Sequence, residues 1–199
     1  MDCKYIVQGI YNMEYLDVVD ENDNLTGEKK DRNFIHNNNL YHRHASCWIL
    51  NYEGDILLQR RALTKSKRPG IWSKTGGHVK SGESVIDAIK REVKEEIGLE
   101  LKDKDLFFMQ KFKSNNPNFF SYGYIALTHN EIGDYKLQIE EVDMVRYYKI
   151  EELEKQKRNN NKLFDFCYWQ NDDFFNQMRI LKIFRNDNLK QDSNTNDNM

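Results

Sequence analysis

The stretch from Gly77 to Leu99 restricts the fold of this chain more than any other part of the sequence. Its apolar residues recur at intervals of three and four, the period of an amphipathic helix: Val85, Ile86, Ile89, Val93 and Ile97. This spacing predicts a helix from Ser84 to Ile97, and Gly98 is well placed to end it. The apolar side of such a helix anchors it to a sheet, so the segment predicts a layered fold.

The polar side of this predicted helix carries clustered carboxylates. Glu92, Glu95 and Glu96 lie at positions i, i+3 and i+4, which places them on one face and one turn apart. Their repulsion would cost stability unless cations bind between them, and hard oxygen ligands on a rigid scaffold suit Mg²⁺ or Mn²⁺. An isolated pattern of this kind is more often a solvated acidic face, so the surrounding residues decide between the two interpretations.

Strands are predicted on both sides of the helix. Tyr15 to Lys30 has the pattern of a hairpin that turns at residues 22–24, and Asp31 to Asn39 is a short helix or a loop. Further strands are predicted at His42–Leu50, Ile56–Arg61, Leu106–Phe112, Phe119–Leu127 and Val142–Tyr148. A charged helix begins at Ile150, and an aromatic-rich helical pattern runs from Phe164 to Phe184. Strands before, between and after helices indicate an α/β or α+β sandwich.

The glutamate segment resembles the Nudix box, G-x5-E-x7-R-E-U-x-E-E-x-G-U, in which U is apolar. Its seven fixed positions are filled by Gly77, Glu83, Arg91, Glu92, Glu95, Glu96 and Gly98, and its apolar positions by Val93 and Leu99. The resemblance implies a Nudix α/β/α sandwich with a mixed sheet, an N-terminal β-hairpin extension and a C-terminal helix. It also implies a hydrolase that cleaves a phosphoanhydride bond with Mg²⁺, or with Mn²⁺.

The same resemblance implies roles for individual residues. Glu92, Glu95 and Glu96 would ligate the metal, with Glu83 nearby, and Arg91 would hold a glutamate in its metal-binding rotamer. The metal would neutralise and orient the diphosphate and lower the pKa of the attacking water. The general base would be Glu95, Glu96 or an acid elsewhere; Glu141 is a candidate, although a solvated turn explains it equally well.

The flanking residues resemble the Nudix branch that includes isopentenyl-diphosphate isomerase. The shared patterns are Val19-Asp20-Glu21 with Thr26-Gly27, then His42 and Trp48, then Leu57, Leu58, Arg61 and Lys65, then Pro69, Gly70 and Trp72. The isomerase uses histidines around a metal; His42 matches one, Gly77-His78 matches its G-H pair, and His36 lies near the position of another. It also uses a cysteine directly before the G-H pair, where this chain has Gly76. The missing thiol and the complete box favour hydrolysis over isomerisation.

Other polar residues are candidates for substrate binding. Arg61 and Lys65 could grip phosphate oxygens, and Arg60 should point to the opposite face of its strand. His78 follows the box glycine and could contact substrate or metal. His42 and His44 alternate along a strand and share a face, where hydrogen-bonded structural histidines are more common than ligands.

Composition narrows the setting. The chain has 199 residues and a formal net charge of −2, which gives no overall attraction to nucleic acid or to an anionic membrane. Its sparse cysteines, Cys3, Cys47 and Cys167, argue against a disulfide framework. The sequence shows no signal-peptide pattern and no long apolar run, so the expected location is the cytoplasm and the expected partner a small-molecule diphosphate.

These observations predict one Nudix domain over residues 1–184, followed by a disordered tail at 185–199. Within it, 14–40 form the extension with the hairpin, 41–160 the core and 164–184 the C-terminal helix, which either packs over its own sheet or mediates a homodimer. The expected substrate is a nucleoside diphosphate linked to a further group. Two alternatives are an isomerase and a catalytically inactive nucleotide-binding regulator, and the intact box argues against the second.

Overall fold

The computed structural model of the chain describes residues 13–165 and 174–179. The strands of this part are β1 (Tyr15–Val19), β2 (Leu25–Asp31), β3 (Arg43–Leu50), β4 (Ile56–Arg61), β5 (Trp72–Ser73), β6 (Thr75–His78), β7 (Leu106–Asn115), β8 (Asn118–Leu127) and β9 (Val142–Tyr148). The α-helices are α1 (Arg32–Asn37), α2 (Val85–Ile97) and α3 (Ile150–Arg158), and residues 174–179 are also helical.

The large sheet has the order β5-β4-β3-β8-β7, with β6 paired to β3 and β9 to β4. Because β3 and β8 run parallel and the other pairs antiparallel, the sheet is mixed, as predicted.

Strand β3 lies at the centre of the molecule. Ala45, Cys47 and Ile49 are buried on one face of the sheet, and Trp48 and Leu50 on the other. Alternate side chains of a strand point to opposite faces, so the continuous apolar run of β3 is what a strand covered on both faces requires.

Helix α2 covers the first face. Ile89, Val93 and Ile97 pack on the sheet, as the periodicity predicts. The helix begins after Ser84, whose hydroxyl accepts a hydrogen bond from the Asp87 N–H, and it ends at Gly98, which adopts the left-handed conformation with φ of 73°.

Helix α3 and residues 174–179 cover the second face. Phe174, Phe175 and Met178 are buried in the cluster that contains Trp48, so this helical segment packs over its own sheet. The predicted C-terminal helix begins too early, because Phe164 forms a parallel bridge with Trp72. The remainder of that predicted helix and the tail at 185–199 lie outside the described residues. In the part of the chain that is described, no helix is both long and apolar enough to cross a membrane.

The N-terminal hairpin lies beside the segment that leads into α2. The Tyr15 carbonyl accepts a hydrogen bond from the Ser81 N–H at 2.8 Å, and the Asp17 carboxylate accepts from the Ser81 hydroxyl at 2.6 Å. At the hairpin turn, Asp23 is buried and accepts a hydrogen bond from Arg43 Nε at 2.7 Å. These contacts fix the extension as one wall of the cleft described next.

Candidate active site

One cleft collects most of the polar residues singled out in the sequence. It has a volume of about 1040 Å³ and is lined by α2, by the β4–β5 loop and by the N-terminal hairpin. The predicted site residues among its lining are Arg61, Lys65, Gly77, His78, Arg91, Glu92, Glu95, Glu96 and Glu141. Two predicted site residues, Glu83 and Gly98, are not in the lining. Glu83 accepts a hydrogen bond from Arg91, and Gly98 ends α2.

The helix presents its three carboxylates to this cleft at different depths. The side chain of Glu92 is 13% exposed and that of Glu95 is 50% exposed, while Glu96 is buried. All three share a face because α2 has the regular helical period. The site therefore combines two desolvated carboxylates with a third that water reaches freely.

Arg91 organises these acids. Its Nη1 donates to Glu92 Oε1 at 2.7 Å and to Glu95 Oε2 at 3.2 Å, and its Nε donates to Glu83 Oε1 at 2.8 Å. Its Nη2 donates to the His78 carbonyl at 3.1 Å. The planar guanidinium thus links the loop before α2 to the glutamates and restricts the rotamer of Glu92.

Gly77 lies where β6 closely approaches α2. A Cβ atom at this position would overlap the carboxylate of Glu92, so a side chain could enter only if that carboxylate moved. The glycine therefore makes room for Glu92 at the edge of the sheet.

Glu96 is held by a short polar chain inside the core. Gln59 Nε2 donates to Glu96 Oε2 at 2.6 Å, and Gln59 Oε1 accepts from the Thr75 hydroxyl at 2.9 Å. Burial raises the pKa of Glu96 to about 7, and the neighbouring charges of Glu92 and Glu141 act in the same direction. Burial also raises the pKa of Glu92, although the hydrogen bond from Arg91 opposes it.

These acids fit a divalent cation by their chemistry. Burial raises the pKa values of Glu92 and Glu96, and a nearby positive charge would favour the ionised form of each. Arg91 supplies positive charge to Glu92, and a cation can reach both glutamates through the cleft that they line. Clustered carboxylate oxygens are the donor set of Mg²⁺ and Mn²⁺.

Glu141 lies in the cleft and not in a freely solvated turn. Its Oε1 accepts a hydrogen bond from Lys65 Nζ at 2.6 Å, and its Oε2 lies 3.5 Å from Arg61 Nη1. Arg60 instead points to Asp143, at 2.7 Å. The structure thus joins the two predicted phosphate-binding cations to the predicted acid on the side of the cleft facing α2.

Three histidines converge on the other side of Arg91. The Nε2 atoms of His36 and His78 lie 3.1 Å apart, and one ring nitrogen of each of His36, His42 and His78 lies within 4.8 Å of the others. The Leu40 carbonyl can only accept, so His42 Nδ1 donates to it at 3.1 Å and leaves Nε2 as an acceptor. Burial lowers the pKa of each of the three, so they are neutral imidazoles, the form that binds transition metals. His44 lies 5.8 Å from His78 between ring centroids, and burial lowers its pKa to about 3.

Gly76 occupies the position of the isomerase cysteine, and the structure leaves no space there for a side chain. A Cβ atom there would lie 2.4 Å from the Ala45 carbonyl oxygen and 2.7 Å from Ser46 Cα. Both are backbone atoms of β3, to which β6 is paired, so a side chain fits only if the strands separate. Cys47 is buried within the core and contributes no thiol to the cleft lining.

The contact between Gln59 and Glu96 is not predicted from the sequence. Gln59 was not selected, although a polar residue within the apolar strand Ile56–Arg61 is a usable signal of a buried polar contact. The resemblance to the isomerase branch points to His36, His42 and His78, and the structure brings all three together, although residue spacing alone does not encode this.

Comparison with known proteins agrees with this geometry. The profile of the NUDIX domain family matches residues 40–170. The chain is 33% identical over 150 residues to an uncharacterized Nudix hydrolase of Clostridium acetobutylicum, covering 70% of this chain and 72% of that protein. It is 34% identical over 107 residues to an isopentenyl-diphosphate Delta-isomerase of Salmonella arizonae, covering 53% of this chain and 59% of the isomerase. It is 31% identical to Nudix hydrolase 3 of Arabidopsis thaliana, covering 70% of this chain but 20% of the plant protein.

Solved structures support the same fold. The crystal structure of DR0079 from Deinococcus radiodurans superposes with a TM-score of 0.60 at 22% identity, covering 73% of this chain and 90% of that one. A MutT protein from Methanosarcina mazei superposes with a TM-score of 0.53 at 22% identity, covering 70% and 93%. The chain belongs to the Nudix family.

Proposed function

We propose that this protein is a Nudix hydrolase that cleaves a phosphoanhydride bond in a substrate of the type nucleoside diphosphate linked to a further group. The observation that carries the proposal is a pair of desolvated carboxylates that line the cleft: Glu92, which is held by Arg91, and Glu96, which is held by Gln59. Such a set is poorly satisfied by the protein alone and well suited to Mg²⁺.

In this proposal Glu92, Glu95 and Glu96 hold the metal. Arg91 and Glu83 fix the loop against the helix, and Gly77 leaves space for the carboxylate of Glu92. When bound, the divalent cation would neutralise the diphosphate and lower the pKa of the attacking water. Gln59 keeps Glu96 oriented toward the cleft through a hydrogen bond of 2.6 Å.

The general base is chosen from Glu95, Glu96 and Glu141. Glu95 is half exposed and has a single arginine contact at 3.2 Å, so its carboxylate is free to accept a proton from water. Glu141 is already paired with Lys65 and Arg61, and becomes available only when substrate phosphate takes those cations. Arg61 and Lys65 would then grip the phosphate oxygens, and His78 would contact the substrate beside them.

A diphosphate panel tests the proposal directly. Purified protein is incubated with nucleoside di- and triphosphates, nucleotide sugars, dinucleotides and prenyl diphosphates, with Mg²⁺ or Mn²⁺. Phosphate release is measured with and without added pyrophosphatase or phosphatase. Metal-dependent release from at least one compound is expected, and chelation should abolish it. No release from any compound would reject the proposal.

Isomerisation is the second candidate, because an isopentenyl-diphosphate Delta-isomerase is among the similar proteins. Carbon protonation in that enzyme uses a cysteine before the G-H pair, and Gly76 here has no space for any side chain. Isopentenyl diphosphate should therefore give no dimethylallyl diphosphate. A catalytically inactive nucleotide-binding regulator is disfavoured because none of the glutamates of the box has been lost.

A further inference from the structure

The lining of the cleft includes three cations that the proposed reaction does not use. Lys29 of β2, Lys67 of the β4–β5 loop and Lys80 after β6 all line the cleft. Lys80 forms an isolated bridge with Leu16, and Leu16 pairs on its other side with Lys30, the neighbour of Lys29. Lys29 and Lys80 therefore come from backbone segments separated by one strand, about 10 Å apart.

Most other cations of the cleft are neutralised by a carboxylate. Arg32 is paired with Glu14 at 3.0 Å and Arg68 with Asp165 at 3.0 Å. Lys65 and Arg61 share Glu141, and Arg91 is held by the box glutamates. Among residues 13–165 and 174–179, by contrast, no carboxylate forms a salt bridge with Lys29, Lys67 or Lys80.

Lys67 lines the cleft, and its charge acts on a histidine beside the cleft. Burial lowers the pKa of His36, and the positive charges of Arg32 and Lys67 lower it further. The ammonium of an exposed loop lysine thus lies close enough to affect a ring beside the box. The same loop carries Lys65, which donates a hydrogen bond to Glu141 in the cleft. The loop therefore contributes two lysines to the cleft lining.

The cleft also has more room than a diphosphate needs. Its volume of about 1040 Å³ lies at the upper end of ordinary ligand pockets. A ligand that fills it lies against both the glutamates and the three lysines, since all of them line the cleft. Three lysines without carboxylate partners create a positive potential that favours binding of an additional anionic group.

We propose that Lys29, Lys67 and Lys80 form a second anion subsite, which binds a phosphate group that the substrate carries in addition to the diphosphate that is cleaved. This inference rests on the proposed function and narrows its substrate class to compounds with a phosphomonoester or a further phosphoryl group away from the scissile bond. A phosphomonoester carries a charge of about −1.5 to −2 at neutral pH, and lysine ammonium groups bind it as mobile point charges.

Matched ligand pairs test the subsite. Binding of NADPH and NADH, which differ by one phosphate, and of coenzyme A and dephospho-coenzyme A is measured by calorimetry with Ca²⁺ in place of Mg²⁺. The wild-type protein should bind the phosphorylated member of at least one pair on the order of tenfold more tightly. The preference should shrink as ionic strength rises, because exposed charges are screened by salt.

Two variants separate the subsite from general charge effects. Lys67→Gln with Lys80→Gln should reduce the preference to about twofold or less while leaving the affinity for the member without the phosphate unchanged. Lys30→Gln is the matched control, since Lys30 lies on the same hairpin, pairs with Glu28 and does not line the cleft; it should keep the preference. Thermal unfolding of each variant checks that the fold is intact.

The outcomes separate this inference from the proposed function. An equal affinity within both pairs, a preference that survives the double lysine variant, or no binding of any of the four compounds overturns the subsite. Each of these results is compatible with metal-dependent hydrolysis in the diphosphate panel. Conversely, a lysine-dependent phosphate preference without any hydrolysis would reject the proposed reaction and keep the subsite.

Discussion

The two sides of Arg91 differ in how they are built. On one side, Glu92, Glu95 and Glu96 come from a single helix and include desolvated acids whose pKa values are raised. On the other, His36 and His78 join His42 from three separate segments, and all three rings are neutral. Arg91 bridges the two, because it donates both to Glu92 and to the His78 carbonyl.

This difference separates two kinds of chemistry within one cleft. Carboxylates suit the hard cations that assist phosphoryl chemistry, whereas neutral imidazoles suit transition metals. This chain resembles both a hydrolase and an isomerase. All of its box glutamates are present, whereas Gly76 stands beside the histidines where the isomerase has its cysteine. We therefore expect hydrolysis to depend on the helix side and to be nearly indifferent to the loss of His36, a histidine of the other side to which the proposal gives no contact with substrate.

The largest expected effect is the loss of hydrolysis when the helix side is altered. Glu95→Gln or Glu96→Gln should lower metal-dependent kcat on the order of a thousandfold or more, since each removes a charge from the proposed metal site. The assay is phosphate release from a substrate identified by the panel. Wild-type-like turnover in either variant would count against the proposed role of that residue.

The matched control for this prediction lies across Arg91. His36→Gln removes one ring of the histidine cluster, and His36 makes no hydrogen bond to a box glutamate. It should leave kcat close to the wild-type value. A loss in His36→Gln comparable to that in Glu95→Gln would show that the two sides act as one site, and the distinction drawn here would be wrong.

The second expected effect concerns the closed thiol position. Gly76→Cys should destabilise the protein by about 3 kcal/mol, because overpacking against rigid backbone forces the strands apart. The clash is with the Ala45 carbonyl and Ser46 Cα of β3. Urea unfolding measures the loss, and incubation with isopentenyl diphosphate should still give no dimethylallyl diphosphate.

Gly133 offers a matched control for that substitution. No atom lies within 4 Å of the position that its Cβ would occupy, so Gly133→Cys should leave the free energy of unfolding nearly unchanged. If Gly76→Cys is as stable as Gly133→Cys, or if it isomerises isopentenyl diphosphate, then the space at Gly76 is not what separates this chain from an isomerase.

The same comparison explains what the sequence could predict. The helix with its cap and stop, the strands of the central sheet and the shared face of Glu92, Glu95 and Glu96 all follow from local spacing. The start of the C-terminal helix was misplaced because Phe164 satisfies the helical pattern equally well while it pairs with Trp72 in space. Hydrophobic periodicity predicts local secondary structure, and it does not predict which distant strand an apolar residue will pair with.

The contacts between distant segments were beyond the sequence. Glu141 reaches Lys65 because β9 pairs with β4, and Glu96 meets Gln59 because α2 crosses the same strand. The histidine cluster depends on the register that sets His44 opposite His78. Each of these contacts needs a sheet register, which residue spacing alone does not specify.

The smallest expected effect is the contribution of Glu96 to the pH dependence of stability, which is measured against Glu96→Gln because the buried histidines add a pH dependence of their own. The pKa of Glu96 is raised by burial from 4.5 to about 7, so between these values the folded state binds more protons than the unfolded state. The stability that the neutral carboxyl contributes is therefore complete below about pH 4.5 and is lost as the pH rises through about 7. Urea unfolding in a chelator, from pH 5 to 8, should show the free energy of unfolding of the wild type falling by roughly 1 to 3 kcal/mol relative to Glu96→Gln.

The control for this slope is Glu95→Gln, since the side chain of Glu95 is 50% exposed and removing it relieves little desolvation. Its free energy of unfolding should run parallel to that of the wild type over the same range. Saturating Mg²⁺ should remove the difference in slope between the wild type and Glu96→Gln, because a bound cation favours the ionised carboxylate and takes over the role of the proton. If the wild type and Glu96→Gln have the same slope in the chelator, the titrating group is not Glu96, and the buried carboxylate would have to be ionised in the metal-free protein.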